Sequence, residues 1–255
     1  MDPGLRSPLV DFFRRGEVAH DVRLLAAQGA IVPRAHEQLA ILLVLLDDPD
    51  PDVSQTAAAT LDRLPAGSLA RFIGRSDVPQ AMRDFFVARG IEPDGGADHT
   101  ATEEPLIDDG VAEAAAPETD SDDPQVLATM PVIARMKLAM RGTREQRARL
   151  IRDSNKLVAA AVLSSPKLTE SEVEAFAKMA NLAEDILRII AMNRAWTKNY
   201  NVVAGLARNP KTPPAQAMAF LQRLNDRDLK MISIDRNVSE PVRLAARKFV
   251  VKKLK

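Results

Sequence analysis

The chain has 255 residues, with 35 basic and 35 acidic side chains and no cysteine. This length allows one or two domains with real hydrophobic cores. The lack of cysteine excludes disulfides, thiolate zinc sites, iron–sulfur clusters and a cysteine nucleophile. No charged-then-apolar leader opens the chain, and the most apolar run, Leu39–Leu46, is too short to span a bilayer. We therefore expect a soluble cytoplasmic protein without a membrane partner.

The balanced total charge hides three blocks. Residues 1–91 carry a net charge of −2, residues 92–126 carry 12 acidic and no basic side chains, and residues 127–255 carry 25 basic and 11 acidic ones. Gly, Ala, Pro, Thr, Asp and Glu dominate residues 92–126 without apolar periodicity. This composition predicts a disordered linker, because such a segment buries too little apolar surface to offset its ordering entropy. It is either a passive tether or an acidic arm that competes for the basic block.

Residues 1–91 are predicted to form a small helical domain. Turns rich in proline and aspartate at Asp47–Ser54 and Ser76–Pro79 each precede an apolar helical pattern. Aspartate satisfies free N–H groups at a helix start, and its charge favours the positive end of the helix dipole.

The basic block, residues 127–255, repeats one helical pattern. The turn Ser164–Thr169 is matched 44 residues later by the turn Arg208–Pro213. Thr169 and Glu172 have the spacing of a capping box and precede a helical apolar face, and an apolar face of equal spacing follows Pro213. Self-similarity at a period of about 20 to 50 residues indicates stacked repeats.

A second correspondence runs at 42 residues, since Leu187–Thr197 matches Leu229–Ser239. Asn155, Thr197 and Ser239 are expected to cap the helix after each turn. We therefore predict a unit of an aliphatic helix, a polar turn with an arginine, a second helix, a Pro-Lys turn and a third helix. A single copy exposes its apolar face, and stacking covers it.

Residues 206–246 read LARNPKTPPAQAMAFLQRLNDRDLKMISIDRNVSEPVRLAA. This stretch resembles the leucine-rich-repeat-variant and HEAT-like repeat families. The resemblance covers most of residues 144–250 and, more faintly, residues 30–90. It implies an all-α α-solenoid of helical repeats, here as two helical blocks joined by the acidic linker, and a binding or scaffolding role. The copies are few and unequal, and the cysteine cluster of some variant-repeat proteins is absent.

Three arginines recur at 42-residue intervals in equivalent turns: Arg152, Arg194 and Arg236. Equivalent positions of a solenoid stack, so these guanidinium groups are expected to form a row, and Lys167 and Lys211 a parallel one. In a structural interpretation each arginine bonds helix-terminal carbonyls or a neighbouring carboxylate. In a functional one the row binds carboxylates or phosphates of a partner.

Two further groups are candidates for binding. Trp196 and Tyr200 are the only Trp and Tyr and lie four residues apart, so they could share a helical face. They either pack between repeats or form an exposed anchor. The last helix carries cations beside an apolar stripe, which form either a solvated face or an anion-binding end cap. Its candidate residues are Arg243, Arg247 and Lys248.

No motif for catalysis, a cofactor or a metal appears, such as His-Glu-x-x-His, a Walker loop or Gly-x-Ser-x-Gly. We therefore predict a non-enzymatic interaction or scaffold protein. Its basic block binds an acidic protein segment and is screened by its own acidic linker. The alternative is nucleic-acid binding by the same surface with weak sequence selectivity, because no base-reading motif is present.

Overall fold

The computed structural model describes residues 3–5, 7–31, 34–94, 106, 127 and 129–253. These residues form helices joined by turns, and no strand occurs among them. The prediction of an all-α protein is thus confirmed for this part of the chain. None of the described helices is both long enough and apolar enough to cross a membrane.

The chain divides into two compact units, residues 1–141 (unit 1) and residues 142–255 (unit 2). The charge pattern placed the start of the C-terminal block at residue 127, whereas the helix Val132–Arg141 groups with unit 1. Charge marks a change of composition, while a unit boundary follows packing. The predicted linker, residues 92–126, lies outside the described residues except for residues 92–94 and Leu106.

Unit 1 is built around one buried helix. Its helices are α1 Pro8–Arg14, α2 His20–Ala27, α3 Ala35–Leu45, α4 Pro51–Asp62, α5 Ala66–Ile73, α6 Gln80–Ala88 and α7 Val132–Arg141. Helix α3 is apolar along most of its length and packs against α1, α2 and α4. The predicted Asp-Pro helix start is confirmed at α4, where the Asp50 carboxylate accepts a hydrogen bond from the N–H of Asp52 at 2.9 Å.

Leu106 of the acidic segment is hydrogen-bonded to the buried helix of unit 1. The buried Gln38 side chain of α3 donates from Nε2 to the Gly29 carbonyl at 2.9 Å. Its Oε1 accepts a hydrogen bond from the backbone N–H of Leu106, also at 2.9 Å. Since a buried amide oxygen is costly to leave unpaired, this bond favours keeping Leu106 on α3.

Unit 2 repeats the order of helices that the sequence predicts. Its helices are α8 Arg144–Leu150, α9 Lys156–Leu163, α10 Glu170–Lys178, α11 Glu184–Met192, α12 Tyr200–Arg208, α13 Pro214–Leu221, α14 Asp226–Ile234 and α15 Glu240–Lys253. The capping box at the start of α10 is confirmed, with both hydrogen bonds between Thr169 and Glu172 present. The apolar face of α10, which includes Val173 and Phe176, is buried.

Equivalent helices of unit 2 make equivalent contacts. Helix α9 packs against α11 as α12 packs against α14, and α10 packs against α12 as α13 packs against α15. Each of the two Pro-Lys turns also contains the same internal hydrogen bond, from the lysine N–H to the side chain two residues earlier. The N–H of Lys167 donates to Ser165 Oγ at 3.3 Å, and the N–H of Lys211 donates to Asn209 Oδ1 at 3.0 Å.

The predicted helix start at Thr197 is wrong. Residues Trp196–Lys198 form a 3-10 turn, and α12 begins with Asn199 as its N-cap, whose side chain accepts from the N–H of Asn201 at 2.9 Å. Thr197 Oγ1 instead donates to the Asn193 carbonyl at 2.9 Å. This extra turn lies between α11 and α12. The repeat is 42 residues from the start of α11 to the start of α14 and 44 residues from the start of α9 to the start of α12.

Candidate binding surface

The arginine turns, which hold Arg152, Arg194 and Arg236, occupy equivalent places in unit 2. Each of these arginines is exposed and lies two residues after the end of α8, α11 or α14. Two of the turns have the same internal bond. Asn193 Oδ1 accepts from the N–H of Ala195, and Asp235 Oδ1 accepts from the N–H of Asn237, both at 2.9 Å.

The side chains of the three arginines make no hydrogen bond or ion pair with the residues that the structure describes. The carbonyl and carboxylate contacts of the structural interpretation are therefore not found within this part of the chain. By contrast, Arg247 Nε donates to the Ser233 carbonyl at 3.0 Å, near the end of α14. Arg247 thus bonds a helix-terminal carbonyl, which is the structural role considered above for the arginines of the turns.

The other candidates have differing environments. Lys167, Lys211 and Lys248 are exposed, and Arg243 is half-buried. Trp196 is half-buried in the 3-10 turn, whereas Tyr200 begins α12 and is 39% exposed. The proposed shared helical face of Trp196 and Tyr200 is therefore wrong, because they belong to different elements.

A cleft of about 660 Å³ runs along α12, with α10 on one side and α14 on the other. Small residues at Ala180, Ala204 and Gly205 leave room for it. A cleft of this volume falls within the range of about 300–1,000 Å³ that is usual for ligand sites. It is lined by Lys178, Ala180, Tyr200, Asn201, Ala204, Gly205, Arg208, Asn209, Pro210, Asp228, Asp235 and Asn237.

Close contacts fix α12 against α10 at the base of the cleft. A Cβ atom at Gly205 would lie 3.2 Å from both Ala177 Cβ and Lys178 Cγ. The buried Asn209 side chain, just after α12, donates from Nδ2 to the carbonyls of Ala177 at 3.0 Å and Met179 at 2.9 Å. This amide replaces helix-terminal hydrogen bonds of α10, so the two helices are joined at their C-terminal ends.

Most charged groups of the cleft are paired within unit 2. Arg208 Nη2 donates to Asp228 Oδ1 at 3.1 Å, and the Tyr200 hydroxyl donates to Asp228 Oδ2. Burial, together with this bond to a carboxylate, raises the pKa of Tyr200 above its ordinary value. Lys178 Nζ pairs with Glu174 at 2.7 Å. The cleft therefore offers a polar but largely charge-compensated interior.

Cationic and apolar residues neighbour the lining residues along the chain. Arg236 stands between the lining residues Asp235 and Asn237, and Lys211 follows Pro210, which also lines the cleft. On α14, Met231 follows Asp228 by three residues, so the two share a helical face. Met231 is 50% exposed.

Two more apolar residues lie exposed just before the arginine turns. Met192 and Ile234 end α11 and α14 and are 71% and 68% exposed. They are separated by the 42-residue repeat. Sequence reasoning missed both these residues and the cleft, because an apolar residue at the end of an aliphatic helix looks like a core residue. The repeat gives no signal either, because Leu150, at the equivalent position before Arg152, is buried.

The ion pairs of unit 2 leave a surplus of positive charge. Residues 142–255 carry 22 basic and 11 acidic side chains. Among the described residues, ion pairs with arginine or lysine of the same unit involve Glu172, Glu174, Glu184, Asp185 and Asp228. Since basic side chains outnumber carboxylates two to one in unit 2, many of them are available to the carboxylates of a binding partner.

In the described residues no group of three or more histidine, aspartate or glutamate side chains is placed to hold a metal ion. Comparison with protein-family models, with curated proteins and with solved structures gave no match for the chain. The resemblance to variant-repeat and HEAT-like families therefore stays a prediction, and the function has to be argued from the surface itself.

Proposed function

We propose that this chain is a non-enzymatic interaction protein whose basic C-terminal unit binds an acidic segment of a protein partner. The observation that carries the proposal is the contrast between two sets of cations. Arg147, Arg188 and Arg208 pair with carboxylates of unit 2, whereas the arginines of the three turns are exposed and make no such contact within the described residues.

In this proposal unit 2 is a short α-solenoid, and its layers present the arginine turns side by side. The place of each turn directly after an equivalent helix, α8, α11 or α14, supports this arrangement. Regularly spaced carboxylates on the partner would then meet successive guanidinium groups, and the fork of donors on arginine suits a carboxylate.

The acidic segment, residues 92–126, is the proposed intramolecular competitor. It carries 12 acidic and no basic side chains, and its Leu106 is bonded to Gln38 of unit 1. Attraction between exposed charges decays over about 8 Å at physiological salt, so the segment screens unit 2 only when it lies on the surface. A partner then has to displace it.

The test changes Arg152, Arg194 and Arg236 to alanine together. The probe is the fluorescein-labelled octapeptide EDSEDSDE, and its affinity is measured by fluorescence anisotropy over a salt series. We expect the triple variant to bind at least about tenfold more weakly at low salt and with a shallower salt dependence, because three charge contacts of up to about 1 kcal/mol each are lost.

The matched control removes the same charge elsewhere, by changing Arg144, Arg149 and Lys198 to alanine. These cations are also exposed and also lie in unit 2. If only net charge matters, both triple variants lose the same affinity, and the arginine turns have no special role. A random-sequence DNA duplex tests the alternative. Tighter binding of duplex than of peptide, with a steep salt dependence from counterion release, would assign the surface to nucleic acid.

A further inference from the structure

We propose that the cleft along α12 receives apolar side chains of the same partner, so that the partner is an acidic segment with regularly spaced apolar residues. This inference rests on the proposed function and adds the class of peptide. The arginine turns alone would accept any acidic chain. The cleft and the apolar residues beside it select among such chains.

The exposed apolar side chains are the first argument. Met231 and Ile234 lie three residues apart on α14, the helix that contributes Asp228 to the cleft, and Met192 holds the position of Ile234 one repeat earlier. Clustered exposed apolar residues with a polar rim mark interaction sites more than single exposed ones do. Methionine in particular adapts to differing partner side chains, because it is unbranched and polarisable.

The charge compensation of the cleft is the second argument. Arg208 and Tyr200 share the Asp228 carboxylate, and Lys178 is paired with Glu174. A carboxylate entering this interior would compete with these existing pairs. An apolar side chain would instead cover the methyl groups of Ala180 and Ala204 and the ring of Tyr200, which line the cleft. The small residues Ala204 and Gly205 leave the space that such a side chain needs.

The surrounding cations supply the third argument, which is charge complementarity. Arg236 and Lys211 adjoin residues that line the cleft, and neither has an ion pair among the described residues. The partner residues on either side of an apolar residue in the cleft would therefore lie near the guanidinium group of Arg236 and the ammonium group of Lys211. Acidic neighbours fit there, and basic ones are repelled.

The conformation of the bound chain sets the spacing of the partner's apolar residues. A chain in the polyproline II conformation has three residues per turn and rises about 3.1 Å per residue, so every third side chain lies on the same face. Helices α11 and α14, which end at Met192 and Ile234, both pack on α12. We therefore expect a partner with apolar residues three positions apart and acidic residues between them.

The experiment compares two labelled octapeptides of equal charge, EDLEDLDE and EDSEDSDE, on the full-length protein. We expect the leucine peptide to bind about tenfold more tightly, because its two side chains lose contact with water in the complex. We also expect this advantage to persist at high salt, since apolar burial is not screened by ions, while the affinity of both peptides falls.

Paired variants locate the effect. Met231→Ser with Ile234→Ser should abolish the advantage of the leucine peptide and leave the affinity of the serine peptide within about twofold. The control changes Leu244 and Val251 to serine, which removes two apolar side chains that are 45% and 57% exposed on α15. This control should keep the advantage. Ala204→Phe, which fills the cleft, should act like the Met231 and Ile234 variant.

Each outcome decides between the proposals. Equal binding of the two peptides, or an advantage that survives in the Met231 and Ile234 variant, overturns the inference and leaves the arginine proposal standing. Failure of both peptides to bind overturns both. A concentration-dependent dimer that the Met231 and Ile234 variant abolishes would assign these residues to a second copy of the chain and also overturn the inference.

Discussion

At the scale of single residues, position decides whether a cation is structural. Arg147 is 4% exposed, and its Nε and Nη2 donate to the two carboxylate oxygens of Glu172 at 2.9 and 3.0 Å. Its Nη1 donates to the Gly142 carbonyl at 2.9 Å. All branches of this guanidinium are used, and the pair joins α8 to α10. Arg188 forms its pair with Glu184 on the surface, where water competes.

Glu172→Gln should lower the free energy of unfolding by about 3 kcal/mol at pH 7, because it leaves the buried Arg147 without its counter-charge. Urea unfolding measures the loss. Glu184→Gln is the control and should cost less than about 1 kcal/mol. Equal losses for the two variants would contradict the structural role of the buried pair.

The same pair predicts a pH dependence. Burial by itself raises the pKa of Glu172, but hydrogen bonds from Arg147 and Thr169 outweigh it and hold this pKa below its ordinary value. A carboxyl with a lowered folded pKa stabilises fully above its unfolded value of about 4.3, and the stabilisation is lost as the pH falls through the folded pKa. The stability difference between wild type and Glu172→Gln should therefore shrink only below about pH 4.

At the scale of elements, the contact between α10 and α12 depends on a glycine. Since a Cβ at Gly205 would already press on Ala177 and Lys178, a leucine there must push the helices apart. Gly205→Leu should cost about 2 kcal/mol of stability, a typical overpacking penalty. Gly67 of α5 has no atom within 4 Å of a built Cβ, so Gly67→Leu should be neutral or stabilising in the same urea experiment. A stabilised Gly205→Leu variant would refute the close approach.

Local sequence signals predicted most of unit 2 but not its cleft. The capping box at Thr169 and the repeated Pro-Lys turns depend on residues a few positions apart, so they can be read from the sequence. The 3-10 turn at Trp196–Lys198 was missed because Thr197 is as good a cap by type as Asn199. The pair Arg147–Glu172 and the bond from Tyr200 to Asp228 join residues more than 20 positions apart. No local pattern identifies such partners.

At the scale of the whole molecule, the acidic segment and the basic unit belong to one chain whose net charge is zero. Neutralising the segment should therefore strengthen partner binding severalfold at low salt, and the gain should vanish at high salt. The variant replaces acidic residues by their amides and leaves Leu106 in place. The residues are Asp108, Asp109, Glu113, Glu118, Asp120, Asp122 and Asp123. Unchanged affinity for the peptide EDSEDSDE would contradict the proposal that the acidic segment screens unit 2.

In the proposed function the three arginine turns act together on one acidic partner. The most direct measurement is a titration of the full-length protein with EDSEDSDE, followed by the NMR signals of the arginine Nε–H groups. We predict that Arg152, Arg194 and Arg236 shift together with one shared affinity, while the buried Arg147 and the paired Arg188 stay unchanged. Shifts spread evenly over the exposed arginines, or confined to Arg243 and Arg247 of α15, would contradict the claim.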